Sequence, residues 1–259
     1  VRHDPPSVAA ATFGLAGGAC PFNDPLMIAI TFALPTESSR LIARAGSKLR
    51  ASGDTEIIYG EVNGRSVAIF NTGVGHKACQ KNIGDFLRAE RPDLLISSGF
   101  AGGVRNDLHV GDLFLAENFS DRQLLSAAQR ILTNRRVYTA NLFTSTSITD
   151  SIMERNVVAA TSAAAVDMET ETIARACASV AIRMLSMRVI SDSLSEPLPA
   201  PPGILFDVER QKMNYGKLSP YLLKHPATLW RLIHFARRIA EARRLLTEAI
   251  LDIVREIEL

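Results

Sequence analysis

The feature that most constrains this chain is a series of short apolar runs that stop at glycine. Residues 93–98 (DLLISS) lead straight into Gly99-Phe100-Ala101-Gly102-Gly103, and residues 65–70 (RSVAIF) into Asn71-Thr72-Gly73-Val74-Gly75. Such runs are too short for stable helices and are bounded by turn formers, which is the pattern of buried strands. Residues 26–33 (LMIAITFA) and 182–190 (IRMLSMRVI) have the same character, and strands are also expected at 110–118 and 138–144. Asn63-Gly64 between 56–62 and 65–70 is a hairpin signal. Helical spacing follows at 38–49 through Leu41, Ile42, Ala45 and Leu49, then from the Gly75 turn to about Arg88, from Asp150 to Asn156, and over 167–180. Residues 126–133 carry no clear assignment. Strands alternating with helices predict an α/β fold around a mixed sheet.

Composition narrows the function classes. The chain has 259 residues, 47% hydrophobic and 22% charged, enough to bury a core as one large or two small domains. A net charge of +2 gives no global field that would argue for nucleic acid. Cys20, Cys79 and Cys177 are odd in number and scattered, which excludes a disulfide framework and suggests a reducing compartment, the cytoplasm. The five histidines share no ligand spacing with cysteine or carboxylate, so no metal or other cofactor is expected. No apolar run reaches the roughly 18 residues of a membrane-spanning helix.

Residues 7–20 (SVAAATFGLAGGAC) end at Cys20 in the manner of a lipoprotein signal, but the thin charged start and the glycine breaks favour a loose N-terminal extension. The expected organisation is an extension at 1–25, an α/β domain at 26–195, and a proline-rich segment (EPLPAPPG at 196–203) with C-terminal helices packed on that domain at 196–259. Helices are expected near 205–214 and 228–259. The last carries apolar residues at helical spacing together with Arg231, Arg237, Arg238, Arg243 and Arg244. A helix packed on the domain or on a second subunit is the preferred reading. The alternative is peripheral contact with an anionic membrane or an amphiphilic substrate, against which the acidic last turns (Asp252, Glu256, Glu258) weigh.

Several side chains could carry chemistry. Glycines at 73 and 75 let backbone N–H groups approach a ligand at a helix start, but no third glycine makes a dinucleotide fingerprint. A second glycine-rich strand end at 98–103 would face the same crevice of an open sheet. Glu37, just after the first strand, is a candidate general base, or an ordinary first-turn glutamate favoured by the helix dipole. Asp167, Glu169 and Glu171 cannot share one helix face; if the helix starts near here, Asp167 caps it and Glu169 points into the crevice. Asp192, at the end of an apolar strand, is a candidate acid or a turn-forming aspartate.

Taken in order, IAITFALPTES (28–38), NTGVGHKA (71–78), RPDLLISSGFAGGV (91–104), VGDLFLAE (110–117), AVDMETETIARAC (165–177) and MRVISDS (187–193) resemble the nucleoside phosphorylase and methylthioadenosine/S-adenosylhomocysteine nucleosidase superfamily. EPLPAP with LSPYLLKHPATLWRLIHFARRIAEARRLL, and VDME where nucleosidases usually have VEME, resemble the hopanoid-associated phosphorylase-like subgroup. The resemblance implies a three-layer fold, with a twisted, partly closed mixed β-sheet flanked by helices and a C-terminal helical appendage. It implies cleavage of a purine nucleoside's N-glycosidic bond, no cofactor, and a homodimer. Asp192 matches the acid that protonates or hydrogen-bonds the purine N7, with Ser191 in support. Glu169 and Met168 match ribose contacts. Glu37 matches the carboxylate that activates water. Gly73, Phe100, Ala101 and Gly102 match the lining of sugar and base, and Ile148, or Phe143 nearby, a residue stacking on the base.

Four departures bear on the chemistry. Ala33-Leu34-Pro35-Thr36-Glu37 stands where phosphorolytic members carry a Gly-Asp-Pro-x-Arg phosphate loop, and Ala78 is nearest to their phosphate-binding serine. A carboxylate there repels phosphate, so hydrolysis releasing adenine is expected, from a substrate that the tail match would make adenosylhopane. The alternatives are a phosphorylase and a non-catalytic nucleoside-binding protein. Phe100 replaces a small polar residue of the nucleosidases, and residues 121–146 match poorly. The reading requires Glu37, Glu169 and Asp192 to converge on one nucleoside-sized hollow.

Overall fold

The computed structural model describes residues 26–51, 55–149, 152–207 and 212–258. The 1–25 extension lies outside the described residues. The chain begins with β1 (Met27–Phe32), α1 (Pro35–Arg44), β2 (Gly46–Ala51), β3 (Ile57–Val62), β4 (Arg65–Asn71), α2 (His76–Ala89) and β5 (Leu94–Gly103). Next come β6 (Leu113–Ala116), a 3-10 turn at Glu117–Phe119, α3 (Arg122–Ile131), β7 (Val137–Thr144), α4 (Ile152–Ala159), β8 (Ala163–Asp167), α5 (Thr170–Ser179) and β9 (Arg183–Asp192). The last elements are α6 (Pro202–Leu205), β10 (Phe206–Asp207), β11 (Lys212–Met213), α7 (Tyr215–Lys224) and α8 (Ala227–Glu256).

One nine-stranded mixed sheet runs β2-β3-β4-β1-β5-β8-β7-β6-β9, and β9 also pairs with β5. That extra pairing closes β5, β8, β7, β6 and β9 into a barrel, while β2, β3, β4 and β1 continue as an open wing. The expected partly closed α/β sheet is therefore present. β1 lies parallel between β4 and β5 and is buried at all six positions, as a strand covered on both faces must be. The Asn63-Gly64 hairpin forms, with φ of 52° and 78° at the two turn residues, as a two-residue turn between twisted strands requires.

Helices cover the two faces. On one, Leu246, Ile250, Ile253 and Val254 of α8 pack with Leu41 of α1, Leu124 of α3 and the strands in one apolar cluster. Burying a side chain of that size stabilises by about 1.5–3 kcal/mol, so these four residues alone anchor the end of α8. On the other face, Cys79, Ile83 and Phe86 of α2 meet Ile173 and Cys177 of α5.

Four local expectations are corrected. The helix beginning near Ser38 stops at Arg44, and 46–51 is strand, because Ala45-Gly46 turns extended and β2 finds a partner in β3. Gly99–Gly103 is not a loop but the continuation of β5, held by β8 and β9. Residues 163–167 form β8, although three alanines give little strand propensity; pairing with β5 and β7 supplies what propensity does not. At 206–207 and 212–213 strand stands where helix was expected: β10 and β11 form an antiparallel pair, and helix resumes at Tyr215 behind an Asn214 cap.

Candidate active site

Glu37 occupies the third position of α1, behind the turn that leaves β1. Its Oε2 accepts from the backbone N–H of Ala33 and of Leu34, each at 3.0 Å. Its Oε1 accepts from Phe100 N–H at 3.3 Å. The carboxylate thus caps its own helix, as the plain structural reading expected, and also joins β1 to β5. It is buried, and burial pushes its pKa upward against the lowering influence of those N–H donors and of Arg188. Gly99 makes the placement feasible. Its φ is 147°, and a Cβ there would lie 3.4 Å from Glu37 Oε2.

Glu169 stands at the start of α5, where β8 ends. Its Oε1 accepts from Gly75 N–H at 2.7 Å, joining the glycine turn before α2 to the α5 start. Burial, then the charges of Asp167 and Glu37, push the Glu169 pKa up to about 8.

Beneath these carboxylates lies Arg188, in mid-strand β9. Its Nη1 donates to Ser97 O at 2.6 Å. Its Nη2 reaches Ser97 Oγ at 2.8 Å and Thr170 Oγ1 at 2.6 Å, and pairs with Asp167 Oδ2 at 3.1 Å. An arginine buried in an apolar strand must be paired in this way or its desolvation is uncompensated. The sequence reading quoted MRVISDS without singling out Arg188. The signal was there, since it is the one charge inside the otherwise neutral run 184–191.

Glu37, Glu169, Phe100 and Arg188, with Thr72 and Ser98, line a cavity of about 40 Å³. Ser98 Oγ is buried and has no hydrogen-bond partner among the described residues. A cavity of this volume with several polar walls is suited to water, not to a nucleoside.

Asp192 is elsewhere. It does not line that cavity. Its Oδ2 is ion-paired with Arg155 Nη2 of α4, both groups being buried, and Arg155 Nη1 donates to Gly103 O at 2.6 Å. Ser191 Oγ donates to Asp192 Oδ1 at 2.6 Å. Gly102 lies against this pair, a Cβ there falling 3.3 Å from Asp192 Oδ2. The three acids therefore occupy two adjoining stations on β5, at Gly99 and at Gly102, about 10 Å apart at the ordinary strand rise. They do not surround one nucleoside-sized hollow. Arg155 was missed because helical spacing around it showed only an ordinary polar position.

The remaining candidates fall around these stations. Gly73 is buried with φ of 77° in the turn before α2. Met168, half-buried, has its Cε 3.9 Å from the place a Gly75 Cβ would take. Ala101 is buried between the two stations. Ile148 is half-buried in the segment after β7 and does not line the cavity. Phe143 is partly exposed on β7. Among the described residues no cluster of His, Cys, Asp and Glu is placed to hold a metal ion.

Residues 27–141 match the family model of the Phosphorylase superfamily. The chain's similarity to curated relatives is local. A 5'-methylthioadenosine/S-adenosylhomocysteine nucleosidase of Actinobacillus succinogenes is 38% identical over 64 residues, 25% of this chain and 28% of that protein. The same-named protein of Haemophilus influenzae is 36% identical over 61 residues, 24% of this chain and 27% of that protein. The alignments thus span little more than a quarter of these relatives. In fold the likeness is wider. The nucleosidase structure from Neisseria meningitidis in complex with methylthio-immucillin-A matches with a TM-score of 0.68 at 17% identity, covering 89% of this chain and 99% of that one. A futalosine hydrolase mutant from Helicobacter pylori matches with a TM-score of 0.59 at 16% identity, over 64% of this chain and 88% of that one. At such identities these matches show a shared fold and nothing further.

Proposed function

We propose that this protein hydrolyses the N-glycosidic bond of a purine nucleoside and releases the base. One observation carries the reading: the water-sized polar cavity between Glu37, Glu169 and the unpartnered Ser98 hydroxyl. Water held there loses a proton to Glu37, whose burial raises its basicity. The hydroxide oxygen bonds to the ribosyl C1' as the bond from C1' to the base nitrogen breaks with its electron pair. Glu169 accepts from ribose hydroxyls by the developing oxocarbenium ion. Met168, Gly73, Ala101, Gly102 and Ile148 are assigned to the walls for sugar and base.

Phosphorolysis is the poorer reading. The guanidinium that lines the cavity, Arg188, already serves Ser97, Thr170 and Asp167, and two carboxylates face a would-be phosphate. Asp192 is the group assigned to the base nitrogen, and α4 must withdraw Arg155 before Asp192 can meet a base and carry a proton to it. A silent binding protein would not need the buried base and water-sized cavity.

Within this reading adenine is the base, and the substrate is an amphiphilic nucleoside such as adenosylhopane. The support is the tail similarity read in the sequence, together with a groove of about 380 Å³ between the proline segment and α8. The segment 196–259 is assigned as an appendage to the 26–195 domain, with peripheral membrane contact through its helices, in a homodimeric cytoplasmic enzyme. Incubation with adenosine analogues of short and long 5'-substituents, with and without phosphate, is the test. Phosphate-independent release of adenine is expected. Strict dependence on phosphate would turn the reading to phosphorolysis, and no turnover of any analogue would turn it to binding alone.

A further inference from the structure

From Lys212 to Ala240 the chain carries Lys212, Lys217, Lys224, Arg231, Arg237 and Arg238 and no aspartate or glutamate. The whole chain, by contrast, has a net charge of only +2. From Tyr215 on, this basic stretch folds into an αα-hairpin of α7 and α8 joined at His225-Pro226. The inner side of the hairpin is accounted for. Leu218 is buried with Ala200 and Leu205, and Tyr221, Leu222 and Leu232 pack against them. The tip is different. Leu223, Leu229 and Trp230 flank the turn and are 86%, 53% and 64% exposed. Ile233, Ala236 and Ala240 continue an exposed apolar stripe from Leu229 up α8 at helical spacing.

We propose that the α7–α8 hairpin docks on an anionic phospholipid surface, with Leu223, Leu229 and Trp230 entering the headgroup region and the exposed Lys217, Lys224, Arg231 and Arg237 meeting lipid phosphates. Large exposed leucines and a tryptophan are ill suited to water but suited to the bilayer interface, where the indole keeps its N–H wet. The cations attract anionic lipid. A second copy of the chain is disfavoured as occupant, because an isologous contact would set this basic patch against itself. A nucleic acid would satisfy the charge but leave Leu223 and Leu229 exposed. No helix among the described residues is long and apolar enough to cross a membrane, so the contact is peripheral. The proposal deepens the membrane contact named above by giving it a surface and a lipid chemistry. It is read without substrate, so its failure and that of the nucleosidase reading are separate outcomes.

Trp230 is the chain's single tryptophan, so its fluorescence reports on this tip alone. The full chain is titrated with vesicles of phosphatidylcholine, and with vesicles of phosphatidylcholine mixed with phosphatidylglycerol. A blue shift is expected only with the anionic vesicles, weakening as salt is added. The L223S/L229S variant, whose changes are at exposed positions, should bind about tenfold or more weakly with an unchanged melting curve, and K224E/R237E should lose the lipid preference. An unmoved Trp230 spectrum, equal response to both vesicle types, or unaltered binding by L223S/L229S would overturn the proposal. So would a response to an RNA oligonucleotide without one to vesicles, or a self-association that L223S/L229S abolishes.

Discussion

Arg155 of α4 and Asp192 of β9 form an ion pair in which both side chains are buried, at the end of β5 beside Gly102. The pair ties a helix that carries exposed Met153 and Val157 to the strand bearing the candidate acid. Removing one partner strands the other charge away from water, which costs about 3–5 kcal/mol. Asp192→Asn is therefore not a silent removal of a proton donor, as its small volume change alone would imply. We expect D192N and R155M each to lose stability on that scale in urea denaturation. The double variant should recover a large part, because the stranded charge is gone. Additive losses would show that the pair is not coupled.

Glu37→Gln tests the nucleophile. The amide keeps the volume but cannot take a proton from water. A loss of 10²–10⁴ in kcat is expected, the usual range for a positioned general base, with KM for the nucleoside little changed. Phosphate should not restore the rate. Retained hydrolysis by E37Q would remove Glu37 from the base role.

These expectations rest on parts of the molecule that were unequally legible from sequence. The strands at 27–32, 65–71 and 183–192 are buried runs whose pattern needs no partner to be read. β8 was hidden because its alanines acquire strand geometry only through pairing. Glu37 and Glu169 were legible as acids at element starts, and the structure brings both to one cavity. Arg155 and Arg188 were not, because what defines them is a partner distant in sequence: Asp192 for one, Asp167 and Ser97 for the other. Local spacing carries no record of such pairs.

Gly99→Ala separates backbone fit from chemistry. At φ of 147° a side chain is strained, and the new methyl would lie 3.4 Å from Glu37 Oε2. Strain of this kind costs about 1–3 kcal/mol. The variant should melt lower and lose kcat through displacement of Glu37, while vesicle binding at the α7–α8 tip stays as it was. Wild-type kcat would show that Glu37 does not need its contact with β5.

The last expectation concerns pH and follows from Glu169. Its pKa in the folded chain is raised from 4.5 to about 8 by burial and by the neighbouring carboxylates of Asp167 and Glu37. Between those values the folded state holds a proton that the unfolded chain has released. Stability must then fall as pH rises through that window, and the contribution is constant below it and above it. At about 1.4 kcal/mol per pH unit, the loss amounts to a few kcal/mol if Glu169 titrates alone, and is spread further where Glu37 shares the proton. Urea denaturation between pH 5 and about 9 should show the decline. Glu169→Gln, which has no proton to lose, should flatten it, at the cost of the hydroxyl contacts and hence a raised KM for nucleoside. An equal decline in wild type and E169Q would place the titrating group elsewhere.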